Sequence, residues 1–139
     1  MRLRDCYKEG LLRKTKPSKK YSIKSLDTSL NHIENAKDNF EMKNNNLVLF
    51  CSYTAMFHSA RALLFKDGVK ERSHICIVSY LREKYPELRR LSNQLDAYRR
   101  NRHNTLYSLD FLISKNEAKQ AIDDAEQFYN QIKSIIDDE

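Results

Sequence analysis

Apolar residues recur at steps of three and four along most of this chain, and the pattern changes character from one stretch to the next. Over residues 19–43, Ile23, Leu26, Leu30, Ile33, Ala36 and Phe40 fall on one stripe, which predicts an amphipathic helix. Asn44-Asn45-Asn46 supplies the turn after it. The following stretch, LVLFCSYTAMFHSARALLF, is apolar nearly all round and predicts a helix enclosed by its neighbours. Asp67-Gly68 closes it, because glycine accepts the left-handed conformation at a helix C-terminus. Ser73 is a predicted N-cap for a helix carrying Ile75, Ile77, Val78, Leu81 and Tyr85. After Pro86, which suits a first helical turn, the next stripe reads Leu88, Leu91, Leu95, Tyr98, Arg102 and Thr105. Ser114 and Glu117 form a capping-box pattern ahead of Ala118, Ala121, Ala125, Phe128, Ile132 and Ile135. At the start, residues 4–14 predict a short helix that Lys16-Pro17 breaks, since the residue before proline is steered away from helical angles.

These segments predict an all-α fold: an antiparallel up-and-down helical bundle of four long helices plus short helices, forming one domain over residues 1–139. Composition agrees. With two glycines and two prolines, the chain lacks the turn residues that a sandwich or barrel draws on, and no strand is expected. No wholly apolar run reaches the roughly 20 residues that span a bilayer. The opening MRLRDCYKEG has no apolar core of a secretory signal, so a cytoplasmic protein with no membrane partner is expected. Cys6, Cys51 and Cys76 are widely spaced with no CxxC. Cys51 and Cys76 are expected as buried thiols, with no disulfide and no zinc site.

Charge sharpens the picture. The net charge is +6, concentrated in residues 1–24 and in a second block of Arg82, Lys84, Arg89, Arg90, Arg99, Arg100 and Arg102. A basic face of this kind attracts phosphates. No glycine-rich phosphate loop, HExxH or GxSxG occurs, and neither a metal nor another cofactor is implied. Of the histidines, His58 is expected in the core bonded to a carbonyl or neighbouring side chain, His32 on the surface, and His74 as a product of the capping geometry at Ser73. His103 differs by its company in YRRNRHNTLY, the stretch from Tyr98 to Tyr107. Arg102 lies on the otherwise apolar stripe of its helix, and a guanidinium there is costly unless it meets a carboxylate, a phosphate or a partner chain. Asp96, Asp110 and acids of the last helix are the candidate partners within the chain. Arginines that hold a phosphate beside an imidazole or phenol are one reading; a polar seam or dimer interface is the other.

The sequence resembles the HEPN family, the higher-eukaryote and prokaryote nucleotide-binding domains, particularly small prokaryotic members encoded beside a minimal nucleotidyltransferase in toxin–antitoxin-like modules. CYKEGLLRKTKPS resembles the family's short first helix. SYTAMFHSARALLFKDGVKERSH resembles its central helix and loop, RRNRHNTLY its motif position, and EAKQAIDDAEQFYNQI its closing helix. The resemblance implies a homodimeric helical bundle with the motif helices near the dimer cleft. It implies RNA or nucleotide binding, here by Arg99, Arg100, Asn101 and Arg102, and a nucleotidyltransferase partner that adenylylates a tyrosine, here Tyr107. Active relatives are metal-independent RNases. Arg100, Asn101 and Tyr107 match their motif, but the histidine position falls on Thr105, and threonine is no base near neutral pH. His103 stands two residues early, about 200° round a helix. The leading expectation is therefore an RNA- or nucleotide-binding protein with a degenerate catalytic motif. The alternatives are an active RNase using Arg100 and His103, or a purely structural dimeric partner.

Overall fold

The structure, a computed structural model, describes residues 1–107 and 112–138, without the side chains of residues 103 and 105–107. Among the described residues the helices run α1 (Leu3–Lys8), α2 (Lys19–Glu41), α3 (Asn45–Asp67), α4 (His74–Lys84), α5 (Arg89–Tyr107) and α6 (Lys115–Asp137). The four long helices α2, α3, α5 and α6 and the shorter α1 and α4 make the expected all-α bundle. Ends fall where local chemistry puts them. Ser18 Oγ accepts from Tyr21 N at 3.1 Å to open α2. Gly68 ends α3 with φ +79°. The Ser114–Glu117 box opens α6 with reciprocal bonds of 3.2 and 3.1 Å.

The enclosed helix is α3. It packs against α2, α4, α5 and α6, with Val48, Tyr53, Ala55, Met56, Ala60, Ala62, Leu63 and Leu64 at 1% exposure or less. By length and composition α3 could cross a membrane, yet 61% of its most apolar window is buried inside the bundle.

Its seam with α2 differs from the predicted stripe. Ile23 and Leu30 are 47% and 40% exposed, and the face turned to α3 carries Ser22, Ser25 and Ser29. Their hydroxyls donate to the α3 carbonyls of Ala62, His58 and Ala55 at 2.8, 2.6 and 2.7 Å. Small side chains let the two backbones approach, and each hydroxyl finds an acceptor on the facing helix, so burying it carries no unpaired polar group.

Two further features correct the sequence reading. The predicted first helix stops at Lys8, and Leu12–Lys14 (β1) pairs antiparallel with Val69–Glu71 (β2), with Arg13 opposite Lys70. This pairing brings the N-terminal segment beside α4. There Cys6 and Cys76, both buried, are disulfide-bonded across 70 residues of sequence. Cys76 is therefore not a thiol, while Cys51 is free and half-buried.

Gly68 joins α3 to β2 at a place where a Cβ would lie 2.5 Å from the Thr15 carbonyl oxygen, with a left-handed backbone besides. Gly68→Ala is expected to lower stability by roughly 1–3 kcal/mol, read as a fall in the urea midpoint. Ser25→Ala should cost less, about 1 kcal/mol for one hydrogen bond; the opposite ranking would remove the packing argument at Gly68.

Candidate functional site

The basic cluster on α5 is positioned by the apolar half of the same helix. Leu88, in a short turn over Pro86–Leu88, and Leu91 and Leu95 on α5 are buried. One turn further, the Tyr98 hydroxyl donates to Asp124 Oδ2 of α6 at 2.6 Å, and Gln120 donates to the other oxygen at 2.8 Å. Burial, then the bond to Asp124, pushes the Tyr98 phenol well above its ordinary pKa. This contact fixes the rotation of α5 just before its arginines. Near the same end, Asn45 donates to the Ile113 carbonyl and Asn46 accepts from Ile113 N, each at 3.2 Å, so the start of α3 holds the approach to α6.

Asp96 organises the arginines. Its Oδ1 accepts from Arg99 Nε at 3.1 Å and lies 3.1 Å from Arg99 Nη2. Its Oδ2 lies 3.7 Å from Arg82 and 3.8 Å from Arg100. Such surface pairs contribute little to stability; here one carboxylate orients three guanidiniums and leaves the group positive. Arg102 makes different contacts. Its guanidinium lies 5.6 Å from the ring centroids of both Phe50 and Tyr53 on α3, a cation–π arrangement. Of the expected carboxylates, Asp96 does meet arginines, Asp124 serves Tyr98, and Asp110 lies outside the described residues.

The third contributor is the first residue of α4. Ser73 Oγ accepts from Cys76 N at 3.3 Å, as predicted, but the cap also places His74 against α3 and α5. The His74 ring stacks on Phe57 at 4.1 Å, and its Nδ1 is hydrogen-bonded to the Tyr53 hydroxyl. Burial, followed by the charges of Arg102 and Arg99, lowers the His74 pKa. Burial raises Tyr53 to about 12, with the same two arginines opposing it. The imidazole is thus neutral and the phenol protonated near pH 7. Neither residue was singled out for function from the sequence, because α3, α4 and α5 meet only in three dimensions.

An open pocket of about 650 Å³ lies between these elements, lined by Ser73 and His74 from the start of α4 and by Arg99, Arg100, Arg102 and Asn104 from α5. Asn101 is exposed on α5 outside that lining. The side chains of His103, Thr105 and Tyr107 lie outside the described residues. Three guanidiniums, an amide and a neutral imidazole suit an anionic, hydrogen-bonding ligand, of which a phosphate ester is the natural class. A wider cleft of about 860 Å³ lies between α1 and α4. Its basic residues Arg4, Lys14 and Lys84 share the lining with the carboxylates Asp67 and Glu83, and Asp67 already accepts from Tyr80 and Tyr85 at 2.8 and 2.7 Å.

Two more histidines extend the aromatic row. His58 packs edge-on to Phe57 at 5.4 Å and stacks on His32 at 5.3 Å with the rings nearly parallel. His32 is therefore half-buried, not on the open surface. Burial, then His32, Arg61 and His74, lowers His58 to about 4; burial lowers His32 as well. Among the described residues no group of His, Cys, Asp or Glu gathers as a metal site.

A family model for the HEPN domain matches residues 24–135. No curated protein matches the sequence.

The histidine row sets a pH dependence. All three imidazoles titrate lower in the folded chain than in the unfolded one, so above about pH 7 neither state binds the extra protons and the row contributes no slope. Below the ordinary value of 6.5 and down to about 4, the unfolded chain takes protons the folded chain refuses, and stability falls. The melting temperature should therefore decline over that window, and His58→Gln should flatten the decline. An unchanged profile in that variant would contradict the assignment.

Proposed function

The chain belongs to the HEPN domain family, and we propose that it binds RNA or a nucleotide through the pocket between the start of α4 and the arginines of α5. Membership carries a nucleotide- or RNA-related function in general. The observation that supports this pocket is the convergence of Arg99, Arg100 and Arg102 on one opening, with Asp96 as the carboxylate that orients Arg99 and Arg100. Asp96 neutralises one charge of the set and the remainder is available to phosphate oxygens. Arg102, held over two aromatic rings, is desolvated on one side, which strengthens a charge-assisted bond on the other.

Within the same proposal the protein acts as a homodimer in a toxin–antitoxin-like module, with a minimal nucleotidyltransferase as partner and Tyr107 as the adenylylation target. Support for this part is the sequence resemblance at Arg100, Asn101 and Tyr107. Mass spectrometry after co-expression would read the modification as an added AMP on Tyr107.

Binding is tested by fluorescence anisotropy with a labelled single-stranded RNA, competed by nucleotides. Replacing both Arg99 and Arg102 with alanine should weaken affinity at least about tenfold, since a hydrogen bond to a charged group contributes about 1.5–3 kcal/mol. It should also reduce the slope of log affinity against log salt by about 0.7 for each phosphate that is no longer neutralised. Unchanged affinity and slope in that variant, or no binding of RNA or nucleotide at low salt, would overturn the reading.

A further inference from the structure

We propose that the Cys6–Cys76 disulfide is a reversible redox site: a dithiol reductant opens it, and its state sets how the first turn of α4 is held at the mouth of the arginine pocket. The redox site stands on its own geometry; its consequence for ligand affinity rests on the binding reading of that pocket.

The disulfide ties α1 to the first turn of α4. Cys76 follows His74 by two residues, about 200° round the helix. One side of the turn therefore faces α1, and the other faces Tyr53, Phe57 and the pocket. Ser73, His74 and Ile75 all line that pocket, and the Cys76 amide is the donor that Ser73 Oγ accepts. The covalent anchor and the ligand-facing residues thus share one helical turn. Further along α4 the hold of the N-terminus is non-covalent. Ser79 Oγ donates to the Met1 carbonyl at 2.6 Å, and Leu3 N donates to Glu83 Oε2 at 2.7 Å.

Cys6 and Cys76 are both 0% exposed, so a reductant reaches the bond only when the segment over it opens. That segment is slight. α1 has six residues and buries only Leu3 and Cys6, and Met1, 60% exposed, places its sulfur 3.6 Å from that of Cys76. Short elements with so little buried surface open locally without global unfolding. None of the four long helices takes part in the bond, so opening leaves their packing in place. The pairing of Leu12–Lys14 with Val69–Glu71 keeps the segment tethered just beyond Cys6, with Leu12 buried. That tether holds the two thiols at high effective concentration and lets the bond re-form. In the reductive step a thiolate of the dithiol attacks one sulfur and the S–S bond breaks. The second thiol then displaces the mixed disulfide. Two electrons and two protons pass to the protein, which ends with thiols at Cys6 and Cys76, and the reductant ends as a cyclic disulfide. With the bond open, α1 no longer pins the turn, and Ser73, His74 and Ile75 lose their fixed place beside Arg99 and Arg102.

The test uses the full chain, with dithiothreitol as reductant and oxidised glutathione as oxidant. It reads thiols by alkylation and mass spectrometry, the Ser73 and His74 amide signals by NMR, and affinity for a labelled single-stranded RNA. In the oxidised protein Cys6 and Cys76 should stay unlabelled. Under folding conditions dithiothreitol should open both to alkylation and move the two amide signals. It should also weaken RNA binding about fivefold or more, the usual size of coupling between separate sites. Oxidised glutathione should restore the signals and the affinity. Cys6→Ala should bind RNA equally weakly with and without reductant, whereas Cys51→Ser should respond as the wild type does. The proposal fails if Cys6 and Cys76 resist dithiothreitol until the protein unfolds, or if they remain thiols after oxidised glutathione. It fails too if reduction leaves either the amide signals or a measurable affinity unchanged, or if Cys6→Ala binds as tightly as the oxidised wild type. RNA binding absent in both states, with the amide signals still moving on reduction, overturns the binding reading and leaves the redox site standing.

Discussion

The structure depends on the enclosure of α3. A helix apolar on nearly every side is stable in water only when other helices cover it, and its tightest cover is α2. Along that seam bulky side chains give way to Ser22, Ser25 and Ser29, whose hydroxyls bond the carbonyls of α3. Close approach there lets the remaining helices complete the cover, α6 along one flank and α4 and α5 along another. The half-exposed edge that stays open carries Phe50, Phe57 and His58. Against that edge the first residue of α4 and the basic turns of α5 come together.

The candidate site follows from how this edge treats charge. Arg102 lies over aromatic faces, Arg99 is tied to Asp96, and Arg100 is 66% exposed. One carboxylate orients its neighbouring guanidiniums without neutralising the group. Beside it, a half-buried imidazole is held neutral by its surroundings and by Arg102 and Arg99. A bound phosphate would relieve the mutual repulsion of the guanidiniums, and its own desolvation would be offset by bonds already pointing inward.

Much of the fold was legible because its signals are local. The Ser114–Glu117 box, the Ser73 cap and the Gly68 terminus each act within a few residues, and the structure places helix ends there. What stayed hidden depends on distant contacts. The helix expected over residues 4–14 yields to strand pairing with residues 69–71, and that pairing in turn aligns Cys6 with Cys76. The stripe through Ile23 and Leu30 follows hydrophobicity alone, whereas the buried face of α2 is set by serines that find acceptors on α3. The site shows the same division. Arg99, Arg100 and Arg102 were readable as a cluster within one helix. His74 looked like a by-product of capping, because nothing in its neighbours along the chain points to Tyr53, Phe57 or Arg102.

The central claim is that the junction of α4 and α5 holds the ligand. Its most direct measurement is the change in backbone and side-chain NMR signals of the labelled protein on titration with a short single-stranded RNA. Shifts are expected at Ser73, His74 and Ile75 and at Arg99, Arg100, Arg102 and Asn104, with the ring signals of Tyr53 and Phe57 moving in step. Shifts confined to the lysine-rich residues 13–24, with His74 and Arg102 unmoved, would contradict it.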